Sequence, residues 1–206
     1  MLRNGSSCRA FAPLSDTATD IVTVLIRPAV AADAAALAEL AERTFNETFA
    51  ADNRPEDIEL HAAQAYGESQ QQREILDPEI ATLMVEVEGQ LAGFAQLRSG
   101  TPPECVAGDD PVELWRFYIA REWHGQGIAQ TLMQRVESDA SARGGRTLWL
   151  GVWERNERAK AFYNKNGFTR VGSHVYLVGT DAQTDFILTR PVGIPSMASD
   201  GSAKPG

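Results

Sequence analysis

The chain has 206 residues, 43% of them hydrophobic and 23% charged, close to the averages of soluble globular proteins, which excludes a wholly disordered, collagen-like or disulfide-scaffold chain. That length suits one compact domain with ragged ends and leaves too little for two full ones. A formal net charge of -9 argues against a nucleic-acid surface, which needs clustered Lys and Arg; it suits solubility first and leans only mildly toward a cationic partner or substrate.

The polar residues 1–20 show no sustained period and read as a mobile arm; residues 21–191 read as the domain and 192–206 as a disordered tail. No apolar stretch reaches the roughly 18 residues of a membrane-spanning helix. The start also lacks the apolar core of a secretory signal, so the cytoplasm is the expected compartment. Two cysteines, Cys8 and Cys105, and three scattered histidines give no metal-ligand spacing, so neither a metal nor a disulfide is expected.

In chain order, the β-rich run 21–27 before Pro28 predicts a first strand. Asp33 is a candidate N-cap for a helix carrying Leu37, Leu40, Ala41, Thr44 and Phe45 on one face. Pro55 opens a second helix with Ile58, Ala62, Ala65 and Tyr66, and a polar helical segment follows to Ile75. Strands over 82–88 and 91–98 form a hairpin across Gly89, and a loop rich in Pro and Gly leads to a strand over 113–119. A loop over 120–126 then precedes an amphipathic helix over 127–143, a strand over 147–152, a helix over 156–166, and strands over 169–178 and 185–189. Hairpins mixed with crossovers predict an α+β fold with a mixed, mostly antiparallel sheet flanked by helices.

Between one strand and the next helix lies His124-Gly125-Gln126-Gly127-Ile128-Ala129. Small residues at a helix start let successive backbone N–H groups approach an anion, which the helix dipole also favours, so a phosphate or pyrophosphate fits. There is no Gly-Lys-Ser/Thr of a nucleotide P-loop, and Gln130 stands where a dinucleotide turn needs its third glycine. About one strand and one helix downstream, Asn156 and Tyr163 are two helical turns apart and can face one site, with Gly167-Phe168 ending the helix.

Both motifs, in this order and context, resemble the GNAT superfamily of acyl-CoA-dependent N-acetyltransferases over nearly the whole domain. Glu113-Leu114-Trp115-Arg116-Phe117-Tyr118-Ile119 and the segment 149–154 resemble more narrowly its bacterial Pai-type branch, which includes spermidine and spermine acetyltransferases. The family's Gln/Arg-x-x-Gly-x-Gly/Ala is met at Gly127 and Ala129 and departs at His124. The resemblance implies acetyl-CoA as co-substrate: Phe117, Tyr118 and Ile119 along its pantetheine arm, Gly125, Gln126, Gly127, Ile128, Ala129 and Gln130 around its pyrophosphate, and Asn156 on the arm. It places Tyr163 near the sulfur as general acid and a backbone N–H near Ile119 at the developing oxyanion.

The proton of the acceptor amine needs a base, and some family members carry a Glu where Gly151 stands here. Glu113 is the first candidate, directly or through a water, with an ion pair to an Arg such as Arg116 on the same strand as its alternative. His124 has a suitable intrinsic pKa but lies in the phosphate loop. Phe45, Glu47 and Phe49, between the first two helices, suit a cationic amine through charge and cation–π attraction, although packing is the favoured role of the two Phe side chains. The expected reaction is direct acetyl transfer in a ternary complex to a primary amine, polyamines included. A protein or peptide N-acetyltransferase and a non-catalytic acetyl-CoA-binding regulator are the alternatives, and a homodimer is left open.

Overall fold

The computed structural model describes residues 23–193. The expected arm, Ile21 and Val22 of the expected first strand, Cys8 and the tail from residue 194 onward lie outside the described residues. The elements are β1 (Val24–Pro28), α1 (Ala34–Phe49), α2 (Pro55–Ala65), α3 (Glu68–Leu76), β2 (Ile80–Val87), β3 (Gln90–Arg98), β4 (Pro111–Ile119), α4 (Ile128–Ala142), β5 (Thr147–Trp153), α5 (Glu157–Lys165), β6 (Thr169–Val178) and β7 (Asp181–Pro191). They build one seven-stranded sheet in the order β1-β2-β3-β4-β5-β7-β6. Every neighbouring pair is antiparallel except β4 and β5. This is the α+β architecture that the alternation of hairpins and crossovers predicts.

Strand alternation sends successive side chains to opposite faces and so divides the core in two. Leu83 and Val85 join Leu114, Leu148 and Leu150 beneath Leu132, Met133 and Val136 of α4. Met84 and Phe94 point the other way, onto Leu37, Leu40 and Phe45 of α1 and Ile58 of α2. Each such fully buried side chain contributes about 1.5–3 kcal/mol relative to exposure.

Three local expectations need adjustment. Asp33 holds the N-cap position of α1, as expected, but it also ends a 3-10 turn, and its carboxylate makes no bond to the helix, accepting instead from the Val30 amide and from Arg27. The last strand begins at Asp181, four residues before the expected start, because Val178 and Asp181 close a tight hairpin. Val192, placed in the tail by composition, is buried, and its amide bonds Arg146 O.

Two features shape the middle of the sheet. The parallel pairing of β4 with β5 covers only Pro111↔Thr147, Val112↔Leu148 and Glu113↔Trp149, after which the strands part. In β4 the register against β3 skips Trp115, a bulge between Leu114 and Arg116. Without that extra residue, alternation would send Arg116 to the side of Leu114; with it, Arg116 turns toward α3. There Arg116 Nη1 lies 2.5 Å from Glu74 Oε2 and 2.7 Å from Gln96 Oε1, while Gln96 Nε2 donates to Glu74 Oε2 at 3.0 Å. All three side chains are buried.

At the far end of the sheet, the β6–β7 turn is fastened to the start of α2. Asp57 Oδ1 accepts from the Thr180 amide at 2.7 Å and from its hydroxyl at 2.8 Å, and these bonds hold the Asp57 carboxyl below its usual pKa.

Candidate active site

Where β4 and β5 part, a cleft of about 400 Å³ opens through the sheet. Its first wall is the free edge of β4. The Ala120 amide donates to Ala92 O on the β3 side, so by strand alternation the amide and carbonyl of Ile119, and those of Phe117, face the opposite, unpaired edge. Phe117, Tyr118 and Ile119 all line the cleft. A peptide-like chain laid along this edge finds the donors and acceptors of a missing strand.

The glycine turn closes one end. Gly125 and Gly127 both have φ of +80°, a conformation that costs other residues strain, and a Cβ at either would enter open space, so the need for glycine is conformational. Among the described residues, no backbone carbonyl accepts from the amides of Gly125, Gln126 or Gly127, and Gly127 is the N-cap of α4. Free amides at a helix start suit a phosphate-like anion. Gly125, Gly127, Ile128 and Ala129 line the cleft; the side chains of Gln126 and Gln130 turn away, to Glu122 O at 3.0 Å and Asn166 Oδ1 at 2.9 Å, so only their backbones bear on an anion. His124, where the family motif has Gln or Arg, has its Nε2 2.7 Å from Ile119 O, and its ring also meets the Arg158 guanidinium from α5. Arg158 lines the cleft, so a cation stands beside the turn although the motif's first position lacks one.

From α5, Asn156 lines the cleft and caps its own helix, its Oδ1 accepting from the Ala159 amide at 3.0 Å; its amide group stays available to a ligand. Tyr163 lies on the same side, edge-on to Phe117, Phe162 and Phe168. Burial among these rings pushes its hydroxyl pKa well above the ordinary phenol value, so the hydroxyl keeps its proton at neutral pH and can donate it. Its hydroxyl has no protein hydrogen-bond partner among the described residues.

The opposite face of the sheet supplies the other half of the cleft. Glu113 lines it, but its partner is Arg98, Nε to Oε2 at 2.5 Å. Arg116, the partner considered from sequence, is taken by Glu74. The guanidinium carbons of Arg98 and Arg116 lie 4.1 and 3.8 Å from the Trp115 ring centroid, so the bulged indole meets two cations. Phe45 is buried and stacks on His61 at 4.4 Å, a packing role; Phe49 faces Trp153 at 5.5 Å. Burial first, and Arg116 second, hold the His61 imidazole below its usual pKa. Glu47 is not brought to the cleft: it shares α1 with Phe45 but turns outward, accepting from the Arg121 amide at 3.2 Å beside Arg43.

Several cleft residues escape sequence reasoning, Arg98 and Arg158 among them. Trp153, His174, Tyr176 and Asp185 come from β5, β6 and β7, and strand register alone brings them together. Gly151, where some family members carry a Glu, sits among them without a side chain.

A mixed sheet parted between β4 and β5, with a free strand edge on one wall and a glycine turn opening the following helix, defines the class: the chain belongs to the Acetyltransferase (GNAT) family, whose profile matches residues 35–168, and it is an N-acetyltransferase. It is 32% identical, over 73% of its length and 87% of the relative's, to an uncharacterised N-acetyltransferase from the pepI 3′ region of Lactobacillus delbrueckii subsp. lactis. It is also 32% identical to an uncharacterised N-acetyltransferase of Mycobacterium bovis, over 77% and 97% of the two chains. Among solved structures it resembles the PaiA N-acetyltransferase of Thermoplasma acidophilum in complex with coenzyme A: TM-score 0.69, 25% identity, 82% of this chain and 99% of that one. Among the described residues no helix is long and apolar enough to cross a membrane, and no group of metal-binding side chains occurs.

Proposed function

We propose that the protein transfers an acetyl group from acetyl-CoA to a small primary amine by direct attack in a ternary complex. The observation that carries this reading is the continuity of the cleft: the glycine turn and the free β4 edge on one side of the sheet meet an aromatic and acidic wall on the other. When bound, acetyl-CoA supplies an activated acetyl thioester. The amides of residues 125–129 hold its pyrophosphate with Arg158 beside them, Phe117 to Ile119 hold the pantetheine arm in strand fashion, and Asn156 steadies that arm. The Ile119 amide, aimed across the gap, stabilises charge on the carbonyl oxygen. The Tyr163 hydroxyl gives its proton to the departing sulfur. On the acceptor side Glu113, held by Arg98, supplies negative charge near the amine, with its action as base through a water as a testable role.

Acetyl-CoA is expected to raise Tm, because it binds the folded loop and not the unfolded chain; at about 100 times Kd the gain is about 2.7 kcal/mol. Gly127→Trp is expected to abolish that rise while circular dichroism of the free protein stays that of a folded chain. A rise of wild-type size in the variant overturns the cradle.

For the acceptor, the acidic chain, the Phe49–Trp153 wall and the Pai-type likeness favour a cationic amine such as a polyamine. Steering by opposite charge is screened as the Debye length falls from about 10 Å at 0.1 M salt to about 3 Å at 1 M. The kcat/KM for spermidine is therefore expected to fall with salt more steeply than that for a monoamine. Activity on peptides with none on any polyamine overturns the acceptor assignment and leaves the acetyl-CoA half standing.

A further inference from the structure

On the acceptor side, one pair of polar groups has no partner among the described residues to explain its placement. Asp185 on β7 stands directly across from His174 on β6 and from Trp153 on β5. Its Oδ2 lies 4.0 Å from His174 Nε2, too far for a direct hydrogen bond, and that Nε2 is buried without a hydrogen-bond partner among the described residues. Both atoms converge on the space over Gly151: a Cβ there would sit 3.2 Å from Asp185 Oδ2 and 3.3 Å from His174 Nε2. The glycine leaves that space open to the cleft. Two acceptors 4.0 Å apart can each lie about 2.8 Å from a single nitrogen placed between them, which matches a primary ammonium with its several N–H donors.

We infer that Asp185 and His174 form the subsite that receives the acceptor's ammonium group and that Asp185 takes its proton. This rests on the acetyltransferase reading above and names the base within it. His174, protonated on Nδ1, accepts one ammonium N–H at Nε2 and orients the nitrogen. The N–H bond toward Asp185 breaks, the proton moves to Oδ2 and the electron pair stays on nitrogen as the nucleophile. A rotation about the C–N bond turns that pair toward the thioester, and Asp185 later releases the proton to water.

The electrostatic setting fits the role. Burial pushes the Asp185 carboxyl up to about 6, close to where a general base works best near neutral pH. From β6 it faces His174 and Tyr176; Arg98, Glu113 and Arg116 from β3 and β4 act on the Tyr176 hydroxyl, and the His61 ring of α2 lies tilted against the Tyr176 ring, 5.9 Å between centroids. From β5 it meets Gly151 and Trp153, neither of which titrates. Glu113 is engaged by Arg98, whereas no Lys or Arg pairs with Asp185 among the described residues.

The first test uses the full chain without acetyl-CoA, titrated with butylammonium and followed by carboxyl and imidazole NMR. Butylammonium is expected to shift the Asp185 and His174 signals and lower the Asp185 pKa, and to leave His174 unshifted in Asp185→Asn. Unmoved signals in the wild-type protein overturn the subsite. The second test is kinetic, with the best amine found in a panel. Asp185→Asn is expected to lower turnover about 100-fold and abolish the acidic limb near pH 6, while the Tm rise with acetyl-CoA stays at wild-type size and proves the fold intact. Wild-type turnover and pH profile in Asp185→Asn overturn the base, the more so if Glu113→Gln removes the limb instead. A wild-type protein without any acetyl-CoA-dependent Tm rise speaks against the broader reading, and the butylammonium titration then still decides the subsite.

Discussion

Tyr163→Phe is expected to lower turnover about ten- to a thousandfold, with acetyl-CoA affinity near that of the wild type. The substitution keeps the ring that packs against Phe117, Phe162 and Phe168 and removes only a hydroxyl that has no partner among the described residues. Its folding cost is therefore small, since no buried group is left unsatisfied. What is lost is a proton that burial keeps on the phenol at neutral pH, next to the place proposed for the sulfur. Thiol release under saturating amine, together with the Tm rise on adding acetyl-CoA, separates the two quantities. Equal turnover in both proteins makes Tyr163 a packing residue.

Glu74→Ala is expected to cost about 3–5 kcal/mol of stability, because it strands the Arg116 guanidinium, buried and charged, without its carboxylate. For a domain of this size that corresponds to a Tm lower by about 6–20 °C. Replacing both partners by leucine is expected to recover most of the loss, since two desolvated charges leave together. Thermal unfolding of the single and double variants checks both outcomes; a single-variant loss below about 1 kcal/mol overturns the role given to the pair. The same network holds one of the two guanidiniums on Trp115, so partial loss of activity is expected in Glu74→Ala even below its Tm.

The helices and strands were legible because their apolar periods are local: the α4 face of Ile128, Leu132, Met133 and Val136 can be read from spacing alone, and so can the glycine turn before it. Asp33 holds its cap position without the cap bond because a carboxylate before a helical run is also suited to a 3-10 turn, and Arg27, six residues back, decided between the two. The Trp115 bulge left no mark in the pattern of β4, yet it determines on which face Arg116 and its neighbours fall. The acceptor side was the least legible half. Asp185 and His174 face each other through hairpin register, Glu113 meets Arg98 across a bulged pairing, and Gly151 matters for the space it leaves. None of these is a property of a short motif. Glu47 had the right charge at the right place in the chain but lies on the wrong side of its helix.

The parting of β4 from β5 also bears on solubility. An unpaired strand edge ordinarily invites strands of other molecules, and most proteins blunt such an edge with charge, proline or a covering loop. Here the open stretch of β4 beyond Glu113 lies in the middle of a seven-stranded sheet, flanked by β5 and lined by Tyr163 and Asn156 of α5. A slender chain bearing amides can enter and pair with it, whereas a second sheet, with strands about 4.8 Å apart and side chains on both faces, meets β5 first. The molecule thus carries a hydrogen-bonding edge in its interior that is sticky toward its ligand and sheltered from its own copies.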